Sequence, residues 1–189
     1  MQQAETGHFS VNIYGKQYNL VASLENMAKI ASSKRILNIY DMMHSKIVPN
    51  SVLIDVARNV LMACCDDPSL DEHLVRIRRG KPLLKHNTIS VNDQVVVAAS
   101  LLRHGIAGVN KPKSKATPKK GQAEPLRVFD VNKIVADAMI HFDLSRAEAM
   151  QLTMSDFYHL LAAKYPPEKR SKDLSLEAHI AAMNGQTRY

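Results

Sequence analysis

The segment 142–167 is the most strongly punctuated part of the chain, and it restricts this region to short helices. Ser145 with Glu148, and Thr153 with Asp156, have the spacing of a reciprocal N-terminal cap, in which each side chain accepts a backbone N–H of the other residue. The proline pair that closes the segment forbids further helix. The sequence therefore predicts two short helices in tandem.

Apolar residues recur at helical spacing on the second of these helices, and Lys164 closes the stripe at the end where the helix dipole favours positive charge. Such a stripe usually packs a protein's own core. The alternative is a surface that binds an amphipathic helix of a partner, for which tyrosine suits the exposed positions. The candidate partner-binding residues are Met154, Phe157, Tyr158, Leu161 and Tyr165, and Leu160 lies on the same stripe.

Composition favours a soluble globular protein, because 189 residues with 46% hydrophobic content can form a core without disulfides. No apolar run reaches the roughly eighteen residues that a membrane span needs, and the polar start does not resemble a secretion signal. The only cysteines, Cys64 and Cys65, are adjacent, which strains a disulfide and is too close for zinc-ligand spacing. We expect reduced thiols and a cytoplasmic location.

Near the N-terminus, alternating apolar residues on both sides of Gly15-Lys16 predict a β-hairpin with a two-residue turn at these positions. The predicted register pairs Ile13 with Tyr18, Val11 with Leu20 and Phe9 with Ala22. All six side chains then share one face, which must be covered by the helices that follow.

Caps and stripes predict helices along most of the remaining chain. Ser23, Ser90 and Asp130 have the positions of N-caps, and a periodic stripe from Leu53 to Cys64 predicts a long helix. Residues 70–77 predict a weak helix, and Gly105 is expected to end the helix from Val91 in a left-handed conformation. A last helix is expected over 173–184.

The predicted fold class is mainly α with a small N-terminal β-hairpin (α+β), with two helical lobes joined by a flexible basic linker. The predicted boundaries are 1–104 for the hairpin and first helical lobe, 105–125 for the linker, and 126–189 for the second lobe. The linker has five lysines and one glutamate, and so contributes +4 of the net charge of +7. Its glycines and prolines cannot bury enough apolar surface to order it.

Two basic groups are candidates for contacts with phosphate or with an acidic partner. They are Arg76, Arg78, Arg79 and Lys81, with Lys85 nearby, and the linker residues Lys111, Lys113, Lys115, Lys119 and Lys120. Contacts of this kind would be salt-sensitive and independent of sequence. No aromatic residue is interleaved with these charges and no nucleic-acid motif occurs, which argues against nucleic acid and favours solvated basic segments.

Motifs for catalysis are missing from the sequence: there is no Gly-rich phosphate loop, no nucleophile elbow and no local histidine pair. Cys64 continues a buried stripe, where a thiol stays protonated. We therefore expect a protein that is not an enzyme and has no metal and no cofactor.

Three stretches of the chain resemble a family of tail assembly chaperone-like proteins from long-tailed, siphovirus-type bacteriophages. They are the hairpin 9–20 with its continuation to Met27, the sequence Leu101-Leu102-Arg103-His104-Gly105, and the stretch 145–166. The resemblance implies a non-enzymatic chaperone that binds the tape measure protein, with tail tube subunits as a further partner, in the bacterial host cytoplasm. Helix-in-groove recognition would serve this role.

Two other classes stay open: a nucleic-acid-associated basic phage protein, and a structural tail or virion component. The sequence does not locate the binding groove. It also leaves open a homo-oligomer, a frameshift-extended form, retention in the virion, and the host.

Replacing the five linker lysines with glutamine should leave the melting temperature nearly unchanged, because solvated charges contribute little to stability. Thermal unfolding followed by circular dichroism measures this. A large drop in melting temperature would show that the segment is docked on the protein.

Overall fold

The computed structural model describes residues 6–45, 48, 50–109 and 129–166. It begins with an antiparallel hairpin of β1 (His8–Ile13) and β2 (Lys16–Val21), and a second hairpin consists of β3 (Arg76–Arg78) and β4 (Lys81–Leu83). The α-helices are α1 (Leu24–Ile30), α2 (Ser33–His44), α3 (Asn50–Ala63), α4 (Val91–Leu102), α5 (Val131–Phe142), α6 (Arg146–Gln151) and α7 (Met154–Lys164). The protein is mainly helical with a small N-terminal hairpin, which confirms the predicted α+β class.

The predicted turn of the first hairpin is wrong by one residue. Tyr14 (φ 51°) and Gly15 (φ 84°) both have positive φ, as the central residues of a type I′ turn require. The strands therefore pair Val11 with Tyr18 and Phe9 with Leu20, two residues away from the predicted register. A shift of two keeps the side chains on the same face, so the predicted apolar face is still the one that is buried.

The helix starts follow the sequence signals closely. Ser23, Ser90 and Asp130 each accept a backbone N–H of the first helical turn, as predicted. Ser145 and Thr153 form capping boxes with the third helical residue at the start of α6 and α7. These caps satisfy N–H groups that have no partner inside the helix.

The weak helix predicted over residues 70–77 is wrong. The chain forms a 3-10 helix (Pro68–His73) and then enters β3 of the second hairpin. Arg79 (φ 51°) and Gly80 (φ 75°) form its turn, again with positive φ at both central positions. The Gly80-Lys81-Pro82 sequence thus belongs to a hairpin.

The predicted role of Gly105 is also corrected. A π-helical turn, Arg103–Ala107, continues α4, and Gly108 (φ 68°) ends it, with its N–H donating to the Arg103 carbonyl. Gly105 is buried inside this turn against Met27 of α1. The predicted linker therefore cannot begin at residue 105, and 110–125 lie outside the described residues.

The two predicted lobes contact one another and share one buried cluster. Phe129, Val135 and Met154 belong to the same cluster as Leu24 and Leu101. The backbone joins them too, since the Leu24 N–H donates to the Leu152 carbonyl at 2.8 Å. The helix predicted over 173–184 lies outside the described residues.

Gly105→Ala should lower the free energy of unfolding by about 1–3 kcal/mol, because an added Cβ would overpack the core. That atom would lie 2.5 Å from Met27 Sδ and 2.7 Å from its Cγ, and Met27 is fully buried. Urea denaturation measures the loss. In a Met27→Ala background the same change should cost less, and an equal cost in both backgrounds would contradict this contact as the cause.

Candidate partner-binding surfaces

The buried side of α7 forms part of the protein's own core. Met154 is 4% exposed and Phe157 is 7% exposed, and the Phe157 ring packs edge-on against Phe142 of α5 with centroids 5.7 Å apart. The prediction that these two residues contact a partner is therefore corrected for this structure. Their burial is what a stripe on an amphipathic helix usually provides.

The apolar stripe of α7 stays partly exposed at its margin and towards its C-terminal end. Leu160 is 37% exposed and Tyr165 is 38% exposed, while Tyr158 and Leu161 are half-buried. We refer to these four residues as the α7 surface. Three of the five predicted contact residues, Tyr158, Leu161 and Tyr165, thus keep surface that a partner could reach.

The C-terminal ends of α5 and α7 are joined at the edge of this surface. The Tyr165 hydroxyl lies 3.2 Å from His141 Nδ1, and the two rings meet edge to face with centroids 5.8 Å apart. The Lys164 ammonium donates to the His141 carbonyl. This carbonyl is one of the last in α5 and accepts no hydrogen bond inside the helix. The Lys164 charge therefore lies at the C-terminal ends of both α5 and α7, where the helix dipole favours a positive charge.

A buried histidine fixes the start of α7. His104 Nδ1 lies 2.9 Å from the Ser155 hydroxyl, which also accepts the Val109 N–H at 2.9 Å. Ser155 has no exposed surface, so its pairing with a histidine ties the π-helical turn to α7 and offers no nucleophile to a substrate. Burial, and secondarily the charge of Arg103, lowers the pKa of His104.

The predicted basic residues 76–81 lie together on the β3–β4 hairpin. Arg78 pairs with Lys81 across the strands, and Arg79 lies in the turn. Ile77 is half-buried, whereas Arg76, Arg78, Arg79 and Lys81 are exposed. We call these four residues the basic hairpin. The linker lysines of the prediction, 111–120, lie outside the described residues.

The charges of the basic hairpin are not equally available. Asp71 forms ion pairs with Arg76 and with Arg58, whose Nε donates to the carboxylate at 2.7 Å. Arg78, Arg79 and Lys81 form no ion pair with any residue that the structure describes. The outer end of the hairpin therefore keeps its positive charge.

Tyr14 contacts His73 and His86, the residues that flank this hairpin in the chain. Its hydroxyl donates to the His86 carbonyl at 2.9 Å, and its ring stacks on the His73 ring with centroids 5.9 Å apart and planes 28° apart. Tyr14 is nevertheless 62% exposed. No local pattern signals this contact, because it joins residues 72 positions apart.

A buried amide attaches the basic hairpin to the helices. Gln94 of α4 is fully buried; its Oε1 accepts the Val75 N–H at 2.7 Å. Its Nε2 donates to the carbonyls of Val75 and Ile54 at 3.1 and 3.0 Å. Val75 immediately precedes β3, so these bonds fix the point where the hairpin leaves the core. No local pattern in the sequence marks Gln94 as buried, because Asn92 and Asp93, which precede it in α4, are also polar.

Among the described residues, the thiols and other ligand-type side chains show no assembled site. Burial raises the pKa of Cys64 to about 12 and also raises the pKa of Cys65, so both are protonated thiols near neutral pH. Within the part of the chain that the structure describes, no cluster of three or more His, Cys, Asp or Glu side chains could hold a metal ion. Nor is any helix there long and apolar enough to cross a membrane.

Fold and surfaces together define a mainly helical α+β protein whose described part includes the α7 surface and the basic hairpin. The chain belongs to the family described as "Family of unknown function (DUF6246)", whose match covers residues 46–178. This range includes the basic hairpin and α7, while β1, β2 and Tyr14 precede it. Comparisons with curated proteins and with solved structures found no match.

The melting temperature should fall between pH 7.5 and pH 5.5 because of His104. A base whose pKa is lowered by folding disfavours the proton in the folded state, so its stability contribution is present above the ordinary value of 6.5 and is lost below it. His104→Gln cannot take up this proton and should show a smaller fall. Thermal unfolding at both pH values measures the difference, with the exposed His86→Gln as control. Equal falls in the wild type and His104→Gln would contradict this role.

Proposed function

We propose that this protein is a non-enzymatic tail assembly chaperone of a long-tailed bacteriophage. It binds the tape measure protein, and tail tube subunits as a further partner, in the bacterial host cytoplasm. The proposal rests on the resemblance of three stretches of the sequence, which the family match neither adds to nor opposes. The observation in the molecule that supports it is the α7 surface, a partly exposed apolar strip on a helix held at both ends.

The α7 surface has the chemistry that binding a long amphipathic helix requires. Two tyrosines and two leucines offer apolar area together with hydroxyl groups that tolerate water, so the strip can stay exposed before the partner arrives. Its small extent favours a weak contact per chaperone molecule. Weak, repeated contacts suit a long partner that tail tube subunits must later displace.

The contacts that hold α7 in place also favour binding of a partner helix. The His104–Ser155 contact fixes the start of the helix, and the contacts of Lys164 and Tyr165 with His141 fix its end. A surface that is already ordered loses little conformational entropy when a partner binds. The α7 surface can therefore hold a helix without rearranging.

The surroundings of Cys64, Cys65 and Ser155 support a role without catalysis. The two cysteines are protonated near neutral pH, and the hydroxyl of Ser155 is buried and already holds Val109. Binding of another macromolecule therefore accounts better for the exposed surfaces than turnover of a substrate does.

Co-expression should increase the soluble fraction of the tape measure protein encoded in the same phage genome. Leu160→Asp should reduce this rescue, because a charge in the apolar strip would be desolvated by the bound helix, and the complex should weaken by on the order of tenfold. Solubility is scored by centrifugation, and binding by co-purification.

Val96→Asp is the matched control, since Val96 is an exposed apolar residue on α4 (48% exposed) and should leave the rescue intact. If both variants rescue as well as the wild type, the α7 surface is not the binding site. If the wild type gives no rescue and the protein is a stoichiometric part of purified virions, the structural-component alternative replaces the chaperone proposal.

A further inference from the structure

We propose that the basic hairpin and Tyr14 together form a binding site for single-stranded nucleic acid. The proposal does not depend on the chaperone function. It concerns different residues from the α7 surface and a different chemistry, namely positive charge together with an exposed aromatic ring. It reverses the expectation that the basic residues do not bind nucleic acid, which rested on the lack of an aromatic residue among them in the sequence.

Uncompensated positive charge is the first observation. The segment from His73 to Asn92 contains five basic residues, Arg76, Arg78, Arg79, Lys81 and Lys85, and no aspartate or glutamate. Of these, Arg76 shares the single charge of Asp71 with Arg58 and is therefore partly offset. Arg78, Arg79 and Lys81 project from an exposed hairpin, where they attract phosphates in a manner that does not depend on base sequence.

The second observation is the exposed ring at the base of the hairpin. His73, stacked on Tyr14, and His86, which accepts its hydroxyl, lie where β3 and β4 join the body of the protein. The stacking and the hydrogen bond hold the ring in place, yet 62% of Tyr14 remains exposed. An immobilised, exposed aromatic ring is the platform on which an unpaired base stacks.

The spacing of the two features suits a strand that follows the hairpin. A β-strand rises about 3.3 Å per residue, so Arg79 in the turn lies roughly 10 Å beyond Arg76 at the start of β3. Tyr14 stacks on His73, three residues before the start of β3, so a strand that stacks a base on Tyr14 and follows the hairpin brings its next phosphates to Arg78 and Lys81. The guanidinium groups donate in the forked geometry that matches phosphate oxygens.

The exposed ring favours nucleic acid over an acidic protein segment. Carboxylates would satisfy the arginines equally well but would have no use for a stacking platform. Exposed Leu83 and Leu84 suit either partner and do not decide between them. A stacked base must be unpaired, so a single strand fits the site better than a duplex.

Binding of the full-length protein to a fluorescein-labelled oligothymidylate should be measured by fluorescence anisotropy at several salt concentrations. The variant Arg78→Gln/Arg79→Asn/Lys81→Gln should bind on the order of tenfold more weakly at low salt, with a log–log salt slope smaller by about 2. Asparagine tolerates the left-handed conformation of position 79, so the turn is kept. The loss should persist when the five linker lysines are glutamine.

Tyr14→Asn tests the stacking contribution separately. It creates an Asn-Gly pair, which favours the type I′ turn, so the hairpin should fold at least as well. Affinity should fall roughly fivefold or more while the salt slope stays unchanged, because a ring is lost and no charge is lost. Melting temperature checks that the variant is folded.

The control variant Lys34→Gln/Arg35→Gln/Lys133→Gln removes the same charge from exposed positions on α2 and α5 and should bind nearly as well as the wild type. A polyglutamate peptide of equal charge should compete poorly with the oligonucleotide. An equal loss in the control, equal competition by polyglutamate, an unchanged affinity of Tyr14→Asn, or no binding by the wild type would each overturn the proposal.

Discussion

The three hydrogen bonds of the Gln94 amide are the interaction on which the rest of the structure most depends. A fully buried amide is costly unless its oxygen and nitrogen are both satisfied, and here they bind the backbone of Val75 and Ile54. These bonds join α3 and α4 to Val75, the residue immediately before β3. An apolar residue at position 94 could fill the space but could not hold Val75 in place.

Because Val75 is fixed, the basic hairpin leaves the core at one place, and the first hairpin contacts His73 and His86 on either side of it. Lys16 reaches Asp67 and Ser69, and Tyr14 reaches His86, so the tip of β1–β2 lies across the chain between α3 and α4. The aromatic ring and the basic residues come from distant parts of the sequence. Their proximity is a consequence of the buried amide and of these contacts at the surface.

Local signals in the sequence predicted the elements well. Cap residues mark helix starts because they satisfy backbone groups within three or four positions, and the apolar stripe of α3 follows from helix periodicity. The face of the first hairpin was predicted for the same reason. Its register was not predicted, because Tyr14 has a positive φ. This conformation usually occurs at glycine or asparagine, and a tyrosine in the sequence does not indicate it.

Contacts between distant residues explain the remaining errors. Gly105 has the sequence context of a helix terminator, but Met27 occupies the space where its side chain would be, which is a property of α1 packing and not of the local chain. Likewise, Met154 and Phe157 on the predicted partner-binding stripe belong to the buried cluster, where Phe142 of α5 packs against Phe157. Periodicity identifies an apolar face but does not say whether the protein itself covers it.

The distribution of charge shows the same limit and has a functional consequence. Counted along the chain, the linker contributes +4 of the net charge of +7, and the four residues of the basic hairpin carry another +4 that acidic residues elsewhere in the chain partly offset. Counted in space, Lys16 and Lys29 are paired with Asp67 and Glu25, whereas Arg78 and its neighbours in the turn are unpaired within the described part of the protein. A paired charge attracts a polyanion only weakly, since its field is already offset at short range. The unpaired charges at the hairpin tip therefore contribute more to the field that an approaching polyanion meets than the paired charges of Lys16 and Lys29 do.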